Sequence, residues 1–104
     1  MKRLLLLLIC FLPLHLLAEN PIDDDCTFNG IPLYGKVKIV DIGETFKVRI
    51  VDIGEDIKIR ESNFNETTCG NWQFVTIGED FSIRFVTIGE DFTIRFVNLG
   101  NGVK

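Results

Sequence analysis

The chain has 104 residues, with 11 basic and 15 acidic side chains and a formal net charge of −4. That balance argues against nucleic acid, whose binders carry clustered positive charge, and against docking on an anionic membrane. The length supports one domain, and a domain this small buries proportionally little surface, so it often recruits a covalent staple.

Residues 1–18 read as a secretory signal. Lys2 and Arg3 form the charged start, Leu4 to Leu12 is an apolar run, and Ala18 offers a small residue for cleavage. The run falls short of the roughly 20 apolar residues a membrane span needs. Acylation at Cys10 is disfavoured because Ile9 stands where a small residue is wanted. Cleavage after Ala18 leaves 9 basic residues against 15 acidic ones. The mature chain is therefore expected to be secreted or periplasmic, monomeric and without a transmembrane segment.

Residues 19–25 are polar and acidic around Pro21 and read as a flexible leader; Cys26 to Tyr34 is irregular, with turn signals at Gly30 and Pro32. Cys10 leaves with the signal, so Cys26 and Cys69 remain. In an exported chain two cysteines most simply form one disulfide, which would contribute at most about 4 kcal/mol. Two free thiols or a metal site are the alternatives, although zinc would lack a histidine and a third thiolate.

From Lys36 onward the chain repeats an eleven-residue unit. Ile39 to Arg49 reads IVDIGETFKVR and Ile50 to Arg60 reads IVDIGEDIKIR, while Phe74 to Arg84 reads FVTIGEDFSIR and Phe85 to Arg95 reads FVTIGEDFTIR. Such repetition specifies a stacked or wound architecture. Within each unit apolar and charged residues alternate at period two, as in Phe46-Lys47-Val48-Arg49-Ile50, which is strand chemistry. The Gly-Glu-Asp and Gly-Glu-Thr breaks read as tight turns, leaving strands of about eight residues. Apolar parity switches at Ile50-Val51 and Phe85-Val86, which suggests strands that bury their two ends on opposite sides. Three degenerate units, Phe28–Lys38, Glu61–Gln73 and Phe96–Lys104, bring the count to seven segments. Residues 35–69 align with 70–104 as two equivalent halves.

Chemistry is sparse. The one histidine, His15, lies in the signal, so no imidazole is left to activate a nucleophile and no catalytic residue or cofactor is expected. The acidic turns Glu55-Asp56, Glu79-Asp80 and Glu90-Asp91 could in principle supply a glycosidase pair or oxygen ligands for Ca²⁺. Their identical placement favours solvated turns whose charges pair with the column Lys38, Arg49, Arg60, Arg84 and Arg95. Trp72 and the phenylalanines 74, 81, 85, 92 and 96 read as core rather than as a sugar platform. Asn65-Glu66-Thr67 fits a glycosylation sequon.

Two anchors, CTFNGIPLYGKVK from Cys26 and CGNWQFV from Cys69, each followed by tandem repeats, resemble the small exported domains described as seven-crossing septoil knots. The likeness spans Cys26 to Gly102; the family's Ser-Phe-Pro-Asp type turn is Ile-Gly-Glu-Asp here. It implies an all-β chain wound as a 7(1) torus knot, and it carries no established activity. The residues alone also suit an unknotted sandwich or small barrel of antiparallel strands. The expected role is a non-catalytic structural or interaction module of the cell exterior, with a Ca²⁺ or small-ligand binder as the alternative.

Overall fold

The computed structural model describes residues 20–64 and 66–103. The signal segment 1–18 and the sequon residue Asn65 lie outside them. A short antiparallel hairpin, β1 (Thr27–Phe28) and β2 (Ile31–Pro32), precedes six barrel strands. These are β3 (Gly35–Ile39), β4 (Phe46–Ile50), β5 (Ile57–Glu61), β6 (Asn71–Phe74), β7 (Phe81–Phe85) and β8 (Phe92–Phe96). They close in the order β3-β6-β5-β8-β4-β7, and every ladder is parallel. The barrel strands have four or five residues, shorter than the eight or so expected, because the connections take the rest of each repeat. The antiparallel alternative does not occur in the barrel.

The barrel order alternates between halves: each strand of residues 35–69 lies between two strands of residues 70–104, and the reverse. The stagger is steep. Val48 pairs with Phe85 of β7 on one side and with Phe92 of β8 on the other, so each strand gives its first residues to one neighbour and its last to the next. Closure leaves the barrel no open edge to template aggregation.

The pairing also fixes where the connections run. β4 and β5 flank β8, so residues 51–56 must pass from one side of β8 to the other. The interior is filled by apolar side chains, so the passage lies outside. Likewise residues 40–45 cross β7, residues 75–80 cross β3 and residues 86–91 cross β4. Residues 97–101 cross β5 to reach the bridge between Gly102 and Lys58. Six residues suffice because each hop clears a single strand. Parallel sheets are ordinarily covered on both faces, and here the connections serve as the outer cover.

Inside, the first and third residues of the strands make the core: Phe46, Val48, Ile57, Ile59, Phe81, Ile83, Phe92 and Ile94, with Val37 and Trp72, are all nearly or fully buried. Ile22, Cys26 and Leu33 close the end at which the strands begin, and Phe28 packs its ring 5.4 Å from those of Phe46 and Phe92. The segment expected to be a flexible leader is thus anchored: Ile22 is 3% exposed, and Asn20 Nδ2 donates to the Asp56 carbonyl.

The opposite end is open. Phe85 and Phe96 end their strands 38% and 39% exposed, Ile39 and Ile50 about half exposed. This corrects the reading of all five phenylalanines as core: Phe81 and Phe92 are buried, Phe74 is partly so, and Phe85 and Phe96 stand at the rim. They keep the inward parity, but the barrel is too short to cover them. The parity switch is likewise the strand end rather than a second buried face, since Ile88 beyond it is 84% exposed.

Candidate functional site

Cys26 and Cys69 are bonded, with Cα atoms 5.9 Å apart. The bridge ties the hairpin to the join between the halves. There Gly70 donates to the Leu33 carbonyl, which also accepts from Trp72 Nε1 at 3.1 Å. Trp72 is fully buried and meets Phe74 and Phe81 edge-on, a core residue and no platform. Gly70 has φ +80°, and a Cβ there would overlap the Lys58 carbonyl oxygen, so no other residue fits.

The acidic turns have partners across the barrel. In each crossing the glycine takes φ near +80°, a left-handed conformation that suits its missing Cβ. The glutamate after it meets the fourth residue of the strand being crossed. Arg84 donates to both oxygens of Glu44 at 3.0 and 3.2 Å. Arg95 makes the same contact with Glu55 at 3.0 and 3.1 Å, and Arg49 meets Glu90 at 3.0 Å. The Arg95 guanidinium, assisted by the glutamate's own backbone amide, pulls the Glu55 carboxyl down to about 2. Glu44 and Glu90 shift the same way, led by Arg84 and Arg49.

The next residue clamps the second position of the same strand. Asp80 accepts from the Lys36 amide at 2.8 Å, while its own amide donates to the Lys36 carbonyl at 2.7 Å. Asp91 does this to Lys47, Asp56 to Thr93, and Thr45, through its hydroxyl, to Ser82. The carboxylates proposed as metal ligands are therefore spread over separate crossings. Among the described residues no group of three His, Cys, Asp or Glu side chains stands close enough to hold a metal ion. Glu79 faces Lys38 by register but forms no ion pair within 4.0 Å among the described residues.

What the sequence reading missed is the isoleucine before each turn glycine. Ile42, Ile53, Ile77, Ile88 and the matching Leu99 are 83–86% exposed. A side chain copied into every repeat was expected to serve the scaffold, yet these stay almost fully exposed. By the crossing order, Ile53, Ile88, Ile42 and Ile77 lie over the neighbouring strands β8, β4, β7 and β3. Ile88 also lines one open depression with the rim residue Phe85. Scattered exposed apolar side chains are ordinary, but here they recur at the same repeat position, and Ile88 adjoins the apolar rim at Phe85. The signal was present in the sequence as Ile-Gly, but period-two patterning treats every isoleucine as a burial candidate.

An open surface depression of about 580 Å³ lies where the repeat fails, lined by Arg60, Glu61 and Asn63 together with Phe96, Val97 and Asn98. Among the described residues no helix is long and apolar enough to cross a membrane. No curated protein shows significant sequence similarity to the chain. The family model of the 7(1) septoil knot domain matches residues 30–104, most of the chain, and the chain belongs to that family.

Proposed function

We propose that this protein is an exported, non-catalytic module that works by surface contact, its contact surface being the belt of exposed aliphatic residues and the apolar rim. The observation that carries the reading is the 83–86% exposure of Ile42, Ile53, Ile77, Ile88 and Leu99. Burial cannot account for them, since an aliphatic side chain that stays in water contributes almost no hydrophobic stabilisation. Most other repeated positions have internal employment: glycine turns the chain, three of the four turn glutamates pair with an arginine, and aspartate or threonine clamps a strand. The disulfide is compatible with an extracellular location. Three of the four turn glutamates are held by arginines and lie on separate crossings, which leaves calcium binding the less supported reading.

The test replaces Ile42, Ile53, Ile77 and Ile88 together by serine. The variant is expected to keep its thermal midpoint within a few degrees and to lose retention at the surface of the expressing cell, appearing in the medium instead. A variant that unfolds would return the belt to the scaffold. A folded variant retained as well as the parent would place the contact elsewhere.

A further inference from the structure

Four of the five fourth-position cations face a crossing that carries Gly-Glu. Arg60 does not. The crossing over β5 reads Val97-Asn98-Leu99-Gly100-Asn101, so Asn101 stands where the glutamate would be, and its Nδ2 donates to the Cys69 carbonyl instead. Arg60 keeps only looser partners. Its Nη1 lies 3.4 Å from Asn71 Oδ1 and 3.8 Å from Glu66 Oε1, and the Glu66 side chain is 46% exposed. Arg49, Arg84 and Arg95 hold their glutamates at 3.0 Å.

This underused guanidinium lines the depression where the repeat fails. Its lining also includes the polar side chains of Glu61, Asn63 and Asn98 and the partly exposed Phe96. A guanidinium recognises a carboxylate through two parallel hydrogen bonds, and amide side chains with a carboxylate and an aromatic face suit a hydroxyl-bearing ring. The copied turn and charge positions mostly serve the scaffold, so a unique polar constellation is to be sought where the repeat breaks, and it breaks here with its cation retained.

We infer that the cavity between β5 and the β8 crossing binds an acidic saccharide, with the Arg60 guanidinium holding a uronate carboxylate, Asn63, Asn98 and Glu61 meeting ring hydroxyls, and Phe96 packing against the sugar face. Glu66 occupies the carboxylate position in the free protein. The exposed contact at 3.8 Å is readily given up, because such pairs contribute little. This site is separate from the aliphatic belt, and its failure would leave the belt reading untouched.

The experiment is an amide-resolved NMR titration of the full disulfide-bonded protein with trigalacturonate. Saturable shifts are expected at residues 60–64 and 96–98. Arg60→Gln should weaken binding at least tenfold, Glu66→Gln should tighten it severalfold, and Arg84→Gln should leave it unchanged. Raising the salt concentration should weaken binding. Absence of saturation at tens of millimolar, or an equal response from Arg60→Gln, would overturn the site. Equal binding of maltotriose would overturn the role of the carboxylate. Equal binding of an acetylated tripeptide with a free carboxylate would overturn the saccharide assignment.

Discussion

Phe46 opens β4 and Phe85 closes β7; both belong to the same alternating pattern, yet they differ in energetic weight. Phe46 is 1% exposed, with rings of Phe28, Phe81 and Phe92 around it at 5.4 to 5.5 Å. Phe46→Ala should cost about 3–5 kcal/mol. Phe85→Ala, at the rim, should cost about 1–2 kcal/mol, since part of that side chain never leaves water. Urea unfolding of the two variants checks this, and equal losses would refute the division into core and rim. The Glu55 carboxyl sets an acid limit. Its folded value of about 2 lies below the ordinary 4.5, so the stabilisation from its pair with Arg95 is whole above pH 4.5 and is lost as the pH falls through 2. Glu55→Gln should lower the urea midpoint at neutral pH and flatten its decline between pH 4.5 and 2. An unchanged acid slope would show that the pair carries no linkage.

At the scale of the element, the crossings share one device. A turn glycine reverses the chain; in three of them the glutamate binds the fourth residue of the crossed strand, and in four an aspartate or threonine binds its second. Asp80 and Asp41 make a clean comparison. Asp80 clamps the Lys36 backbone from a crossing, whereas the Asp41 side chain sits exposed at the start of one and forms no hydrogen bond among the described residues. Asp80→Ala should cost about 1 kcal/mol or somewhat more, as the loss of a charge-assisted hydrogen bond does, and Asp41→Ala should be nearly neutral by thermal melting. Similar losses would mean the clamp is not structural. The turns and the charge column were legible as repeats, because both are written within eleven residues. The clamp was not, because its acceptor and donor lie 44 positions apart in the chain.

Across the whole molecule, the alternation of halves makes neither one a folding unit. Residues 20–69 contain β3, β4 and β5, and in the barrel none of these pairs with another. Fragments 20–69 and 70–104 should each be unfolded by circular dichroism and gain strand signal only on mixing. A folded fragment would contradict the interleaving. Every barrel pairing between the halves except that of β5 with β6 spans 37 or 44 positions, so loop-closure entropy must be met before any ladder forms. Refolding from denaturant should therefore be slow, on the order of a second or longer. If the crossings also thread the chain through itself, the C-terminal passage over β5 comes late, and removing residues 96–104 should abolish the native state. Recovery within milliseconds, or a native truncated chain, would point to an unthreaded barrel.

The amino-acid sequence by itself determined that the chain is all-β, repeated with a period of eleven, divided into two like halves and supplied with two cysteines near the anchors of those halves. Period-two alternation, turn glycines and repeat identity are local, so a single chain displays them. Parallel or antiparallel pairing, the neighbour of each strand and the exposure of its last residue are not local. The same alternating five residues serve in either direction, and whether Phe85 is core or rim depends on where a barrel built from distant partners happens to end. Arg60 joins the two levels. Asn101 in place of glutamate was visible as a broken repeat, but only the crossing of residues 97–101 over β5 decided that the missing partner was this arginine's, since repeat register names a position and the tertiary pairing names its counterpart.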